Sequence, residues 1–96
     1  MFTFINRFTV TGDVAEFETL VKEITEHMSA QPGFRSHRLY RSAANALVYV
    51  ETAEWDDAAS HKLATADPAF RSRVGKVMAL AQAEPAPFDL IAQHGA

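Results

Sequence analysis

Three side chains able to do chemistry stand where the sequence otherwise favours a packed core: an amide at Asn6, an indole at Trp55 and an imidazole at His61. Asn6 lies in the run Phe2–Val10, in which the residues sharing its alternation face are apolar. A buried amide must find hydrogen-bond partners. These are either backbone groups of the fold or a ligand that needs an oriented donor, and the pattern leaves both open.

Proton transfer and stacking are the chemistry that the other two side chains offer. The ordinary pKa of a histidine, about 6.5, suits His61 to act as a base, although a histidine in a short polar helix can simply be exposed. Trp55 offers a flat surface and one N–H donor, or packs in the core with that N–H at the surface. Glu51 shares the face of Trp55, which predicts a buried base or a bulge near Thr52; we favour the bulge.

The bulk composition excludes several classes of function. The 96 residues form one domain, 1–96, with a net charge of −3 and no basic run, so neither nucleic acid nor an anionic membrane is an expected partner. There are no cysteines, and the four histidines fall in separate elements, so we expect no metal site. No apolar stretch is long enough to span a membrane, and the expected location is the cytoplasm. Arg35, Arg38 and Arg41 either bind an acidic substrate or keep an edge strand soluble.

Hydrophobic periodicity and turn residues divide the chain into seven elements. After the first strand, we expect a helix at about Val14 to Ser29, strands at Phe34 to Arg41 and Ala46 to Trp55, and a helix at Asp57 to Thr65. A further helix begins at Asp67-Pro68. Its apolar stripe is Phe70, Val74, Val77, Met78 and Ala81. Glu84-Pro85-Ala86-Pro87 ends this helix, and a short strand follows at Phe88 to Gln93.

The order of these elements predicts an α+β, ferredoxin-like antiparallel sheet with helices on one face, in which the first and third strands are parallel neighbours. The third strand is apolar on both sides, with Leu47 and Tyr49 facing one way and Val48 and Val50 the other. Helices cover only one face, so the second face needs another cover. The sequence therefore predicts a homodimer in which two sheets stack as a dimeric α+β barrel.

The chain resembles the antibiotic biosynthesis monooxygenase family over almost its whole length. The residues that carry the resemblance are Phe4-Ile5-Asn6-Arg7-Phe8, Gln31-Pro32-Gly33-Phe34, Glu54-Trp55-Asp56-Asp57-Ala58-Ala59, His61 and Asp67-Pro68-Ala69-Phe70. The resemblance implies a small dimeric oxygenase that oxidises an aromatic polyketide-type phenol, hydroquinone or anthrone with O₂ and without a cofactor. It also implies that Asn6, Trp55 and His61 are catalytic. We expect the substrate to contact Phe4, Phe8, Tyr49, Phe70 and Val74.

The family also includes proteins that degrade heme, and this resemblance supplies an alternative. That branch has an asparagine and a tryptophan at the positions matching Asn6 and Trp55. Its iron-ligating histidine, however, falls at Val74, which cannot bind a metal. A heme-binding or heme-degrading protein is therefore the enzymatic alternative, and a dimeric ligand-binding module without turnover is the other.

Overall fold

The computed structural model describes residues 1–95. It contains four strands and three helices in the order β1, α1, β2, β3, α2, α3, β4. Their bounds are β1 Phe2–Val10, α1 Val14–Ser29, β2 Phe34–Arg41, β3 Val48–Trp55, α2 Ala58–Thr65, α3 Pro68–Met78 and β4 Ala81–Asp89. The expected α+β, ferredoxin-like architecture is confirmed.

The strands form one antiparallel sheet in the order β2-β3-β1-β4. β1 and β3 are neighbours, but they run antiparallel, with Asn6 opposite Glu51 and Phe4 opposite Ala53. The expected parallel pairing was wrong. The helix α1 returns the chain across the sheet, so β2 runs parallel to β1. β3 lies between these two strands and forms an antiparallel hairpin with β2, so it is antiparallel to β1 as well.

An aspartate begins each of the three helices. The side chains of Asp13, Asp57 and Asp67 accept a hydrogen bond from a backbone N–H in the first turn, at 2.7 to 2.8 Å. These bonds satisfy N–H donors that have no partner within the helix, and the negative charge of the aspartate also interacts favourably with the positive end of the helix dipole. In α3 the cap is followed by Pro68 at a position where proline costs no hydrogen bond. The helix starts expected from the aspartates are therefore correct.

The C-terminal strand differs from the expectation. Ala81 begins β4 and is not part of the helical stripe, and the strand continues through Pro85 and Pro87 to Asp89, so the expected strand at Phe88 to Gln93 was wrong. β4 pairs with β1 alone and is an edge strand. Proline is tolerated at an edge because one side of that strand has no ladder partner to bond.

Gly33 forms the corner that brings β2 against the helix carrying His61. Its φ is +87°, a region that favours glycine. A Cβ at this position would lie 2.5 Å from both Cβ and Oγ of Ser60 in α2. The carbonyl of Gly33 also accepts a hydrogen bond from the backbone N–H of Asp56 at 2.8 Å. Both the positive φ and the close approach of Ser60 therefore favour glycine at this corner.

The two faces of the sheet differ. On the face covered by helices, buried residues form two clusters, one around Phe8, Phe17 and Tyr49 and the other around Trp55, Met28 and Ala64. On the other face none of the three described helices packs, and Tyr40 and Phe88 are about half exposed, at 50% and 49%. Within residues 1–95, no helix is long and apolar enough to cross a membrane.

Candidate active site

A cavity of about 330 Å³ lies between the sheet and the three helices. Its walls are mostly apolar, and the polar side chains come from five elements: Asn6 from β1, Thr25 from α1, His37 from β2, Glu51 from β3, and His61 and Thr65 from α2. A pocket with apolar walls and a few convergent polar groups is typical of a small-molecule site. The cavity therefore accommodates a flat apolar ligand that meets a small number of oriented donors and acceptors.

Asn6 is the buried polar side chain at the centre of the sheet, with 7% exposure. Its Oδ1 accepts a hydrogen bond from the backbone N–H of Glu84 at 3.1 Å. Its Nδ2 makes no hydrogen bond to any of residues 1–95. One half of the amide is therefore satisfied by the fold, which orients the group, while the other half leaves a donor free in the cavity wall.

His61 lies on α2 and packs among aromatic rings. Its ring centroid is 4.9 Å from that of Phe4 in a stacked arrangement, 5.1 Å from that of Phe2 and 5.5 Å from that of Trp55. Burial in these surroundings lowers the pKa of His61, an effect partly opposed by the negative charge of Glu51. The imidazole is therefore mainly neutral at pH 7 and able to accept a proton.

Trp55 ends β3 and is 1% exposed. Its ring packs edge-on against Phe34, with centroids 5.4 Å apart, and it lines the cavity. Its Nε1 is buried and has no hydrogen-bond partner among the described residues. The alternative in which this N–H is satisfied at the surface was wrong. Leaving such a donor unpaired costs about 1 to 3 kcal/mol.

Glu51 faces the cavity, so the expected bulge near Thr52 was wrong. β3 pairs with β1 in continuous register from Val48 to Trp55, and the irregularity of the sheet lies in β2, between Phe34 and Ser36. Glu51 is retained on the inner face because Oε2 has a partner, Nε2 of His37, at 2.9 Å. Both side chains are largely buried, with exposures of 16% and 14%.

His37 is a cavity residue that was not expected from the sequence. It shares its alternation face with Leu39, which packs against the core, so alternation offered a weak signal. A shared face alone does not distinguish a structural histidine from one that faces a ligand. The register shift lies in β2, before His37, and leaves this side chain on the inner face, where it reaches Glu51 of the neighbouring strand.

The five side chains expected to contact a substrate divide into two groups. Phe4, Phe8, Phe70 and Val74 all line the cavity. Tyr49 does not: it is 2% exposed, its ring packs 4.9 Å from that of Phe17, and its hydroxyl donates to the Glu18 carboxylate. Burial, followed by the contact with Glu18, raises the pKa of Tyr49. This tyrosine belongs to the core beside the site.

Cationic side chains are not part of the cavity wall within residues 1–95. Arg35 pairs with Asp56, and Arg7 pairs with Glu84 on the opposite face of the sheet. None of the three β2 arginines lines the cavity, so the structure does not support the alternative in which they bind an acidic substrate there. In the same part of the chain, no group of three or more histidine, aspartate or glutamate side chains is arranged to hold a metal ion.

Comparisons with known proteins identify relatives in sequence and in fold. The chain is 38% identical over 82 residues to deoxynogalonate monooxygenase of Streptomyces nogalater, an alignment that covers 85% of this chain and 70% of that one. It superimposes on SnoaB, described as a cofactor-independent oxygenase from Streptomyces nogalater, with a TM-score of 0.93, 35% identity and coverage of 96% and 94% of the two chains.

More distant structures share the fold alone. A conserved protein from Methanosarcina mazei superimposes with a TM-score of 0.84 at 18% identity, covering 91% of this chain and 89% of that one. At the level of sequence families, residues 1–75 match the antibiotic biosynthesis monooxygenase family. With more than half of the chain matched and a relative at 38% identity, this protein belongs to the antibiotic biosynthesis monooxygenase family.

Proposed function

We propose that this protein is a cofactor-independent monooxygenase that oxidises an electron-rich aromatic phenol, hydroquinone or anthrone of polyketide type with O₂ in the cytoplasm. The observation that carries the proposal is the combination, in one apolar cavity, of a free amide donor on Asn6, a neutral imidazole on His61 and the indole of Trp55. The similarity to SnoaB, described as a cofactor-independent oxygenase, supports the same activity.

Proton removal is the step that the protein controls. Without a metal or flavin, the substrate itself must reduce O₂, and an aromatic anion does so far more readily than the neutral molecule. His61 accepts the proton, while Asn6 donates from Nδ2 to the oxygen on which charge accumulates. Trp55 provides a flat wall for the rings and an N–H that the protein leaves unused. Phe4, Phe8, Phe70 and Val74 surround the remaining apolar surface.

The atoms balance for an anthrone. A methylene group loses two hydrogens and gains one oxygen atom to become a carbonyl, and the second oxygen atom of O₂ leaves as water with those two hydrogens. The substrate gives up four electrons and O₂ accepts four. The proton taken by His61 returns to the departing oxygen, so the imidazole ends the cycle neutral.

The heme alternative lacks its expected ligand. Val74, at the position where the heme-degrading branch carries its iron-ligating histidine, lies in the cavity wall and offers only methyl groups. Nothing in the site favours heme over an aromatic substrate, and no step of the proposed reaction passes through it. The alternative of a binding module without turnover differs from the proposal in one observable, the consumption of O₂.

Oxygen uptake tests the proposal. Protein dialysed against a chelator is mixed with 1,8-dihydroxyanthrone, and the autoxidation measured without protein is subtracted. We expect catalysed uptake of one O₂ for each quinone formed, at a rate proportional to protein concentration. Tight binding of the anthrone with no uptake above autoxidation would instead identify a binding module.

We also propose that the chain works as a homodimer. Tyr40, Phe88 and the side chain of Val50 lie on the sheet face that no helix covers, and a second copy stacked on it would bury them. Light scattering is expected to give about twice the 10.6 kDa mass of one chain.

Replacing Val50 with lysine should dissociate this dimer. Val50 pairs with Arg7 across the sheet, so the new charge would have a like charge beside it and an apolar surface opposite. Burying an unpaired charge costs several kcal/mol. The matched control is Leu63→Lys on α2, where the side chain is 74% exposed, and this variant should remain dimeric. A wild-type monomer at micromolar concentration would contradict the proposal.

A further inference from the structure

The pair formed by Glu51 and His37 lies inside the cavity but has no role in the chemistry described above. We propose that Glu51, held in place by His37, is the charge partner of His61 during turnover and stabilises the imidazolium that forms when His61 takes the substrate's proton. This inference rests on the proposed function of His61 as the base. It assigns Glu51 and His37 as positioning residues.

The carboxylate of Glu51 is held by His37 of β2, which in turn contacts Thr25 of α1. Nε2 of His37 lies 2.9 Å from Oε2 of Glu51, and such a hydrogen bond needs one proton between the two atoms. The Thr25 hydroxyl lies 3.4 Å and 3.5 Å from the two ring nitrogens of His37 and donates to the backbone carbonyl of Val21 at 2.9 Å. A buried glutamate held in this way keeps one orientation toward the cavity.

The strand register brings this carboxylate near the imidazole. Glu51 is directly opposite Asn6, and Ala53, the next residue of β3 on the same face, is opposite Phe4. His61 stacks on the ring of Phe4. The carboxylate and the imidazole therefore line the same cavity, with the imidazole displaced along the strand direction by two residues or more, roughly 7 Å at the least. Charges at such a separation still interact where water is partly excluded, and the negative charge of Glu51 acts to raise the pKa of His61.

His61 meets no other charge in the described cavity wall. α1 contributes apolar residues and Thr25, α3 contributes Phe70, Val74, Val77 and Met78, and β1 contributes Asn6 beside its phenylalanines, none of which titrates near neutral pH. The titratable lining groups are His61, His37 and Glu51. The carboxylate that His37 holds is therefore the charge in this wall that offsets part of the desolvation cost of protonating His61.

Burial and the Glu51 carboxylate shift the pKa of His61 in opposite directions. Burial among aromatic rings makes the protonated imidazole expensive, and the carboxylate reduces that cost. A base in such a site without Glu51 would be a weaker proton acceptor. With Glu51 present, proton transfer converts a neutral imidazole and an anionic carboxylate into an opposite-charge pair, and return of the proton to the departing oxygen restores the starting state.

The test is the variant Glu51→Gln, which keeps the shape of the side chain and its contact with His37 but removes the charge. The titration of His61 is followed by NMR of the imidazole in the protein without substrate. We expect the pKa of His61 to move to lower pH in this variant. With 1,8-dihydroxyanthrone, the acid limb of kcat should move in the same direction, and kcat should fall at least roughly 10-fold.

Two further variants separate charge from structure. Glu51→Asp keeps the charge and should retain most of the wild-type titration of His61. Glu23→Gln removes a negative charge from the exposed face of α1 and should change neither the pKa of His61 nor kcat. An unchanged His61 titration in Glu51→Gln would overturn the inference. So would an acid limb that disappears in Glu51→Gln but persists in His61→Ala, because Glu51 would then be the base. If the wild type consumes no O₂, the proposed function fails and with it the role in turnover, whereas the NMR titration still shows whether Glu51 stabilises the protonated form of His61.

Discussion

Replacing His61 with alanine is expected to lower kcat for anthrone oxidation by roughly 10² to 10⁴-fold, the usual contribution of a positioned general base. The physical reason is the loss of the imidazole, which burial keeps neutral and able to accept a proton at pH 7. In the wild type, protonation of His61 should remove activity on the acid side, below the ordinary histidine pKa of 6.5. In the variant this acid limb should be absent.

The His61 variant needs a control for packing, because the ring contacts Phe2, Phe4 and Trp55. His61→Phe keeps an aromatic ring at this position and removes both nitrogens. It should be as inactive as His61→Ala while unfolding at a urea concentration close to that of the wild type. Lys62→Ala, one residue further along α2 and exposed, should be fully active. Normal kcat in His61→Phe would show that the imidazole is not the base.

Asn6→Ala is expected to affect stability and activity at the same time. Removing Oδ1 leaves the backbone N–H of Glu84 without its partner, which should destabilise the fold by about 1 to 3 kcal/mol. Removing Nδ2 takes away a preoriented donor, and turnover should fall on the order of 10² to 10³-fold. The stability change is measured from the urea midpoint and the activity change by oxygen uptake.

Both measurements must be made on the same Asn6→Ala preparation. Circular dichroism under assay conditions shows whether the variant is folded, and the rate is then expressed per folded molecule. A destabilised variant with normal activity per folded molecule would assign Asn6 a structural role only. A loss of activity without any loss of stability would contradict the contribution of the hydrogen bond to Glu84.

Local patterns in the sequence predict much of the framework. α1 and β2 were placed with their observed bounds, because an apolar stripe of helical period ends at Pro32 and Gly33 and because the hairpin that follows is short. The aspartate caps located the starts of α2 and α3 to within one residue, whereas α3 ends earlier than expected, at Met78. By contrast, β4 was missed because Pro85 and Pro87 usually interrupt a strand, and only its position at the edge of the sheet makes them acceptable.

The candidate site was less predictable than the framework because it depends on contacts between strands. Asn6, Trp55 and His61 could be proposed from residue type and family resemblance, and all three line one cavity. The expected bulge near Thr52 would have turned Glu51 to the outer face of the sheet and avoided the burial of its charge. The fold avoids that cost in a different way, by pairing Glu51 with His37 of the neighbouring strand, and no local pattern specifies that pair.

Oxidation of 1,8-dihydroxyanthrone under ¹⁸O₂ by chelator-treated protein tests most directly whether this cavity carries out cofactor-independent monooxygenation. We expect each quinone formed in excess of autoxidation to contain one ¹⁸O atom and the second ¹⁸O atom to appear in water. In His61→Phe the yields of labelled quinone and labelled water should fall together. Release of one hydrogen peroxide per substrate, or labelled quinone formed equally well by His61→Phe, would contradict it.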